Sequence, residues 1–135
     1  MRIISGEFKG KILISPDNNE IRPTSDRGKE VIFDTLSSIL YKQDKEYKEI
    51  NILDIFCGSG SLGIEAISRG GKNIFFIDNS KKAINLTKMN CEKLNIKNMN
   101  LLNYNFFDIN LSLIKQADVI FLDPPYKSYE PSQIL

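Results

Sequence analysis

From residue 50 onward the chain alternates between two kinds of segment, and this alternation limits the folds open to it more than any other feature. Short apolar runs, INILDIF, NIFFID, MNLLNY and VIFLD, are separated by SLGIEAISRG, SKKAINLTKMNCEKLNI and DINLSLIKQ. The runs are bounded by Gly, Asn or Asp and are too continuously apolar for strands wetted on one face, so they read as strands buried on both. The intervening segments space their apolar residues by three and four, as helices do. Strand and helix in strict alternation give a parallel sheet with right-handed crossovers, hence an α/β fold.

Ahead of this pattern, RIISGEF and KGKILIS read as the strands of a short hairpin turning between Gly6 and Gly10. RPTSDRGKEVIFDTLSSIL reads as a helix capped by Thr24 or Ser25, with Val31, Ile32, Thr35, Leu36, Ile39 and Leu40 as its apolar face. The polar run YKQDKEYKE is an exposed connection. The expected organisation is therefore a hairpin and helix extension over 1–49 and a sheet-bearing core over 50–135. At 135 residues, 41% of them hydrophobic, the chain suits one domain.

Eighteen basic and 17 acidic residues leave a net charge of +1, so bulk electrostatics names no partner and a nucleic acid would need a local patch. Two cysteines and no histidine exclude a disulfide framework and offer no metal-ligand spacing, so no metal is expected. No apolar run has signal-peptide or membrane-spanning length, from which a cytoplasmic location is expected.

ILDIFCGSGSLGIEAISRG places Asp54, Gly58, Gly60 and Gly63 between the first sheet strand and its helix. Glycines there let the backbone turn sharply and approach a ligand, while the helix start presents free N–H groups. The spacing fits G-x-G-x-x-G, and Asp78 ends the next strand about 20 residues on, where a carboxylate accepts from ribose hydroxyls. The spacing points to a ribose-containing ligand without saying which. Cys57 lies inside the loop with no histidine to serve as its base, so it reads as a small residue in a crowded turn. After the third strand, Asn105 and Phe106 stand where an amide meets an adenine edge and a ring its face; a loop asparagine beside a core phenylalanine fits the spacing equally well. Asp108 reads as a helix cap.

The fourth strand runs into Asp123, Pro124, Pro125 and Tyr126. In a sheet ordered 3-2-1-4 this strand end adjoins the glycine loop. An ionised carboxylate and a proline carbonyl accept hydrogen bonds and donate none. Such a site suits the exocyclic amine of a nucleobase, whose two N–H groups it can hold while a lone pair faces an electrophile. Tyr126 offers a ring on which a base taken out of its stack can lie.

These residues resemble the S-adenosylmethionine-dependent amino-methyltransferases, whose first motif is similar to LDIFCGSG and whose fourth is similar to DPPY. RIISGEFKGKIL, RPTSDRGKEVIFDTL, DIFCGSGSLGIEAISRG and VIFLDPPY, in that order, narrow the resemblance to the RsmD-type bacterial 16S ribosomal RNA guanine-N2 methyltransferases over nearly the whole chain. DNA adenine methylases also carry DPPY, so the N-terminal segments do the narrowing. The resemblance implies a Rossmann-like methyltransferase core and S-adenosyl-L-methionine as cofactor. The backbone at Gly58, Ser59 and Gly60 would cradle its methionine end, Asp78 its ribose, and Asn105 with Phe106 its adenine.

By the same resemblance Asp123, Pro124, Pro125 and Tyr126 hold the target guanine, and Arg22, Thr24 and Arg27 lie over cofactor and substrate. A helix cap with solvated arginines is the other reading of those three. Arg2, Lys9 and Lys11 can track phosphates or simply solvate the hairpin. The implied partner is 16S ribosomal RNA, within an assembled small subunit. The alternatives are an adenine-N6 methyltransferase on DNA or RNA, and a truncated homologue that binds cofactor or RNA without catalysis. Two departures stand out: the family commonly ends its second strand with glutamate where this chain has Asp78, and it continues through a fifth strand and a terminal antiparallel pair that these 135 residues do not reach.

Overall fold

A computed structural model describes residues 1–15, 25–97 and 99–124. The apolar runs form four parallel strands, β1 (Asn51–Ile55), β2 (Asn73–Ile77), β3 (Asn100–Leu102) and β4 (Val119–Leu122), in the order β3-β2-β1-β4. This is the expected order. Between them lie α2 (Ser61–Ser68), α3 (Lys81–Lys93) and α4 (Leu111–Gln116), and α1 (Asp26–Lys42) precedes the sheet. Ile55 lies opposite both Ile77 of β2 and Leu122 of β4, so three strands end level with one another at their carboxyl ends.

Because side chains alternate along a strand, each strand feeds both faces. Ile52, Ile74, Phe76 and Phe121 pack with Phe33 and Leu36 of α1, Ile64 of α2 and Ile84 and Cys91 of α3. Leu53, Ile55 and Ile77 face the other way, against Ile109 and, in α4, Leu113 and Ile114. Helices thus cover both faces, which explains why the strands read as unbroken apolar runs.

Ser25 caps α1, its hydroxyl accepting from the Gly28 N–H at 3.0 Å. The buried face of α1 differs from expectation: it is Lys29, Phe33, Leu36 and Leu40, while Val31 and Ile39 are 58% and 46% exposed. The first buried position of the helix is a cation. The Lys29 ammonium is fully buried 3.6 Å from the Glu65 carboxylate and donates to the Arg2 carbonyl. Glu65, itself fully buried in α2, also accepts from the N–H groups of Ile4 (2.9 Å) and Ser5 (3.1 Å) and from Arg69 (3.0 Å). Burial pulls the Lys29 pKa down, and Glu65 and Asp26 oppose it. A buried acid with this many donors fastens hairpin, α1 and α2 together.

The N-terminal segment read as a hairpin folds back on itself through a single isolated bridge, without regular strands. Arg2 bridges Ile12 in antiparallel fashion, with Ile3 N–H to Lys11 O at 2.9 Å and Leu13 N–H to Met1 O at 3.0 Å. Its turn presses on the end of α2: Gly6 has φ +91°, and a Cβ there would stand 2.0 Å from the Ser68 carbonyl oxygen. Asp108 does not cap α4; Asn110 does, accepting from Ser112 N–H at 2.8 Å, and Asp108 lies within a preceding 3₁₀ turn.

Candidate active site

The chain leaves β1 through a turn that needs left-handed backbone at Phe56 (φ 61°), Gly58 (φ 58°) and Gly60 (φ 82°). Gly60 then heads α2, with no side-chain cap among the described residues. The last glycine of the motif has a different task. A Cβ at Gly63 would lie 2.2 Å from a Phe76 ring carbon, so its absence sets how closely α2 approaches β2.

The turn is held from three sides. Asp54, buried in β1, accepts from the Gly63 N–H at 2.9 Å. Asp78, at the tip of β2, accepts from Gly58 N–H at 3.1 Å and Ser80 N–H at 2.9 Å. From α3, the Thr87 hydroxyl donates to the Gly58 carbonyl at 2.8 Å and the Asn90 amide to the Ser59 carbonyl at 2.9 Å. Those two carbonyls are thus drawn toward α3, while the Gly58 N–H is taken by Asp78 and the Gly60 N–H by the Cys57 carbonyl at 2.8 Å. Ser61 Oγ, the first hydroxyl of α2, is buried without a hydrogen-bond partner among the described residues.

Sequence reasoning missed Thr87 and Asn90. Both are fully buried polar residues in a helix that otherwise reads as amphipathic. Their signal was faint: two polar side chains three residues apart, on the face that carries Ala83, Ile84 and Cys91.

Asp54, Asp78 and Asp123 gather their charges at these strand ends. Burial pushes the Asp54 carboxyl up to about 8; the Gly63 N–H opposes this, and the charges of Asp78 and Asp123 add to it. Burial also raises Asp78, against the backbone N–H groups that it accepts. The Cys57 thiol is pushed well above its ordinary range, chiefly by burial, and lies 3.5 Å from the Thr87 hydroxyl. That environment disfavours the thiolate.

On the far side of the turn Phe56 stacks on Phe106, with centroids 5.5 Å apart and planes at 20°, and Phe107 meets Phe106 edge-on. The third strand's loop and the glycine turn are thereby joined. Asn105 is exposed, its Oδ1 accepting from Phe107 N–H at 3.0 Å. Asp123 follows β4 directly and is exposed, whereas Pro124 is buried. Because Leu122 pairs with Ile55, Asp123 stands beside the first residue of the glycine turn. Arg27 is exposed in the first turn of α1. Arg22, Thr24, Pro125 and Tyr126 lie outside the described residues. No group of three or more potential metal ligands occurs among the described residues, and no helix among them is long and apolar enough to cross a membrane.

The family model described as "Conserved hypothetical protein 95" matches residues 1–134. The chain belongs to this family, the RsmD-type methyltransferases. It is 35% identical over 132 residues to "Ribosomal RNA small subunit methyltransferase D" of Haemophilus influenzae, covering 93% of this chain and 64% of that protein. The protein of the same name in Escherichia coli is 30% identical over 127 residues, covering 94% and 61%. The solved structure described as "Putative methyltransferase yhhF from Escherichia coli" superposes with a TM-score of 0.75 at 28% identity, over 99% of this chain and 69% of that one. The chain thus spans just under two thirds of the two named RNA methyltransferases.

Proposed function

We propose that this chain is an S-adenosyl-L-methionine-dependent methyltransferase that acts on the exocyclic N2 amine of a guanine in 16S ribosomal RNA, in the cytoplasm. The observation that carries the reading is the adjacency of Asp123 and the glycine turn on neighbouring strand tips, fixed by the pairing of Leu122 with Ile55. The names of the relatives supply the RNA.

The residues present fit the cofactor. Gly60 keeps the turn free of a side chain that would run into Thr87, and the buried Ser61 hydroxyl at the start of α2 lacks a partner among the described residues. In this reading the turn at Gly58, Ser59 and Gly60 binds the methionine end, with Asp54 holding the turn through Gly63. Asp78 takes the ribose hydroxyls with lone pairs left over from its backbone bonds to Ser80, Gly58 and Asn79, and Asn105 and Phe106 receive the adenine. When bound, the cofactor supplies a methyl group on a positively charged sulfur. Asp78 and Asp123, whose charges reach as far as Asp54, favour such a cation.

Asp123 and the Pro124 carbonyl accept the two N–H bonds of the target amine and orient its lone pair, and the Asp123 carboxylate takes the proton that the amine must lose. Pro125 fixes the backbone and Tyr126 stacks on the base. Arg22, Thr24 and Arg27 contribute to holding the substrate.

The decisive experiment compares the parent with Asp123→Ala for transfer of labelled methyl to small-subunit particles, naked 16S RNA and DNA, followed by nucleoside analysis. Label in N2-methylguanosine, lost in the variant while S-adenosylhomocysteine still binds, is the expected result. Near-normal transfer by the variant would remove Asp123 from the chemistry. Label in N6-methyladenosine would move the substrate to adenine, and cofactor binding without any transfer would favour a non-catalytic role.

A further inference from the structure

Asn90 makes more contacts than the proposed reaction requires of it. Its side chain is fully buried near the end of α3, and each of its polar atoms is engaged. Nδ2 donates to the Ser59 carbonyl in the glycine turn at 2.9 Å and to the Ile14 carbonyl at 3.2 Å, while Oδ1 accepts from the Ile14 N–H at 2.6 Å. The primary amide thus pairs with Ile14 as a neighbouring strand would, and spends its remaining hydrogen on the turn. Lys93, one position further along the same helical face, donates to the Ile12 carbonyl at 2.8 Å. At the front of the hairpin, the Ser59 hydroxyl donates to the Met1 sulfur at 3.4 Å. Ile14 leads in the sequence directly into residues 16–24, which include Arg22 and Thr24.

We infer that Asn90 is a positioning residue that couples the state of the Gly58–Gly60 turn to the seating of the second hairpin arm at Ile14. The inference rests on the methyltransferase reading for the identity of the ligand that occupies the turn. The Asn90 side chain and the Ser59 end of the bridge are buried, and the Ile14 end is half-buried. If the turn moves away, an Nδ2 hydrogen is left unpaired; if Ile14 moves away, a buried donor and acceptor are orphaned together. A ligand that stiffens the turn therefore holds Ile14 in place, and by reciprocity a substrate that pins the N-terminal segment favours the cofactor-ready turn. Thr87, whose hydroxyl meets the Gly58 carbonyl and the Cys57 sulfur, orders the turn without a hydrogen bond to the hairpin.

The test is residue-resolved amide exchange on the 135-residue chain, with and without saturating S-adenosylhomocysteine, beside calorimetric titration. In the parent, ligand should slow exchange of the Ile14 amide on the order of tenfold, the size of effect expected when one buried hydrogen bond is held closed. Asn90→Asp keeps the size and the acceptor for the Ile14 N–H but removes both donors. It should bind S-adenosylhomocysteine about tenfold more weakly and lose the ligand-dependent change at Ile14. Thr87→Val should bind more weakly yet retain that change, a distinction that general loss of stability would not produce.

A parent that binds the ligand with no response at Ile14, or an Asn90→Asp variant that keeps the response, overturns the inference alone. A parent that does not bind S-adenosylhomocysteine overturns the methyltransferase reading and the inference with it. Should Asn90→Asp not fold, the measurement on the parent still decides.

Discussion

Replacing Gly63 by alanine adds one methyl group where α2 has no room for it. The new Cβ would stand 2.2 Å from Phe76 Cε1, 2.8 Å from Cζ and 3.0 Å from Cδ1. Carbon atoms in good contact sit about 3.5–4.0 Å apart, so relief requires a displacement of more than about 1 Å. The ring cannot swing aside cheaply, because Phe76 is fully buried on a strand paired on both sides. Moving α2 instead would stretch the 2.9 Å bond from the Gly63 N–H to Asp54. Overpacking of this kind costs about 1–3 kcal/mol, and weakening the bond adds about 1 kcal/mol. Against this, alanine is favoured over glycine inside a helix by about 1 kcal/mol.

The expected net loss for Gly63→Ala is about 2 kcal/mol, or roughly 6–10 °C in Tm for a domain of this size. Urea denaturation and thermal melting read the first effect, and titration with S-adenosylhomocysteine reads the accompanying distortion of the turn. Stability equal to the parent or above it would refute the argument that the missing Cβ sets the spacing of helix and strand.

Three further perturbations probe other parts of the site. Asp54 has a folded pKa of about 8 against an ordinary value of 3.8, so its contribution to stability is fully present below about pH 4 and falls as the pH rises through 8. Asp54→Asn retains an acceptor for Gly63 but cannot ionise; its stability relative to the parent should rise between pH 5 and about 8.5 in urea titrations, and a difference independent of pH would contradict the assignment. Glu65→Ala leaves the fully buried Lys29 ammonium without its carboxylate and should cost about 3–5 kcal/mol by denaturation. Lys29→Met combined with Glu65→Gln should recover part of that, since no charge of the pair is then stranded. Gly60→Val places a side chain at φ +82°, with its Cβ 2.7 Å from Thr87 Cγ2, and should abolish calorimetric binding of S-adenosylhomocysteine in a chain whose circular dichroism remains α/β.

Strand identity was legible before any coordinates because it follows from local chemistry. A run such as VIFL between polar residues has few ways to bury itself, and alternation with helical spacing leaves few topologies. Gly58 and Gly60 were legible for a similar reason: a left-handed turn disfavours most side chains whatever surrounds it. Asp123 and the turn could be paired from the sequence because the 3-2-1-4 order places the first and fourth strands side by side.

Tertiary structure alone decided the groups whose roles depend on a distant partner. Nothing near Lys29 in the chain marks it as buried; Glu65, 36 positions away, makes that tolerable in a helix whose Phe33 lies inside while Val31 and Ile39 are exposed. Asn90 and Thr87 looked like polar interruptions of an amphipathic helix until the carbonyls of Ser59 and Gly58 were found against them. Backbone preference and hydrophobic spacing are properties of neighbours in sequence, whereas the free energy of a buried polar group depends on the atom that answers it across the fold, and only the packed chain supplies that atom.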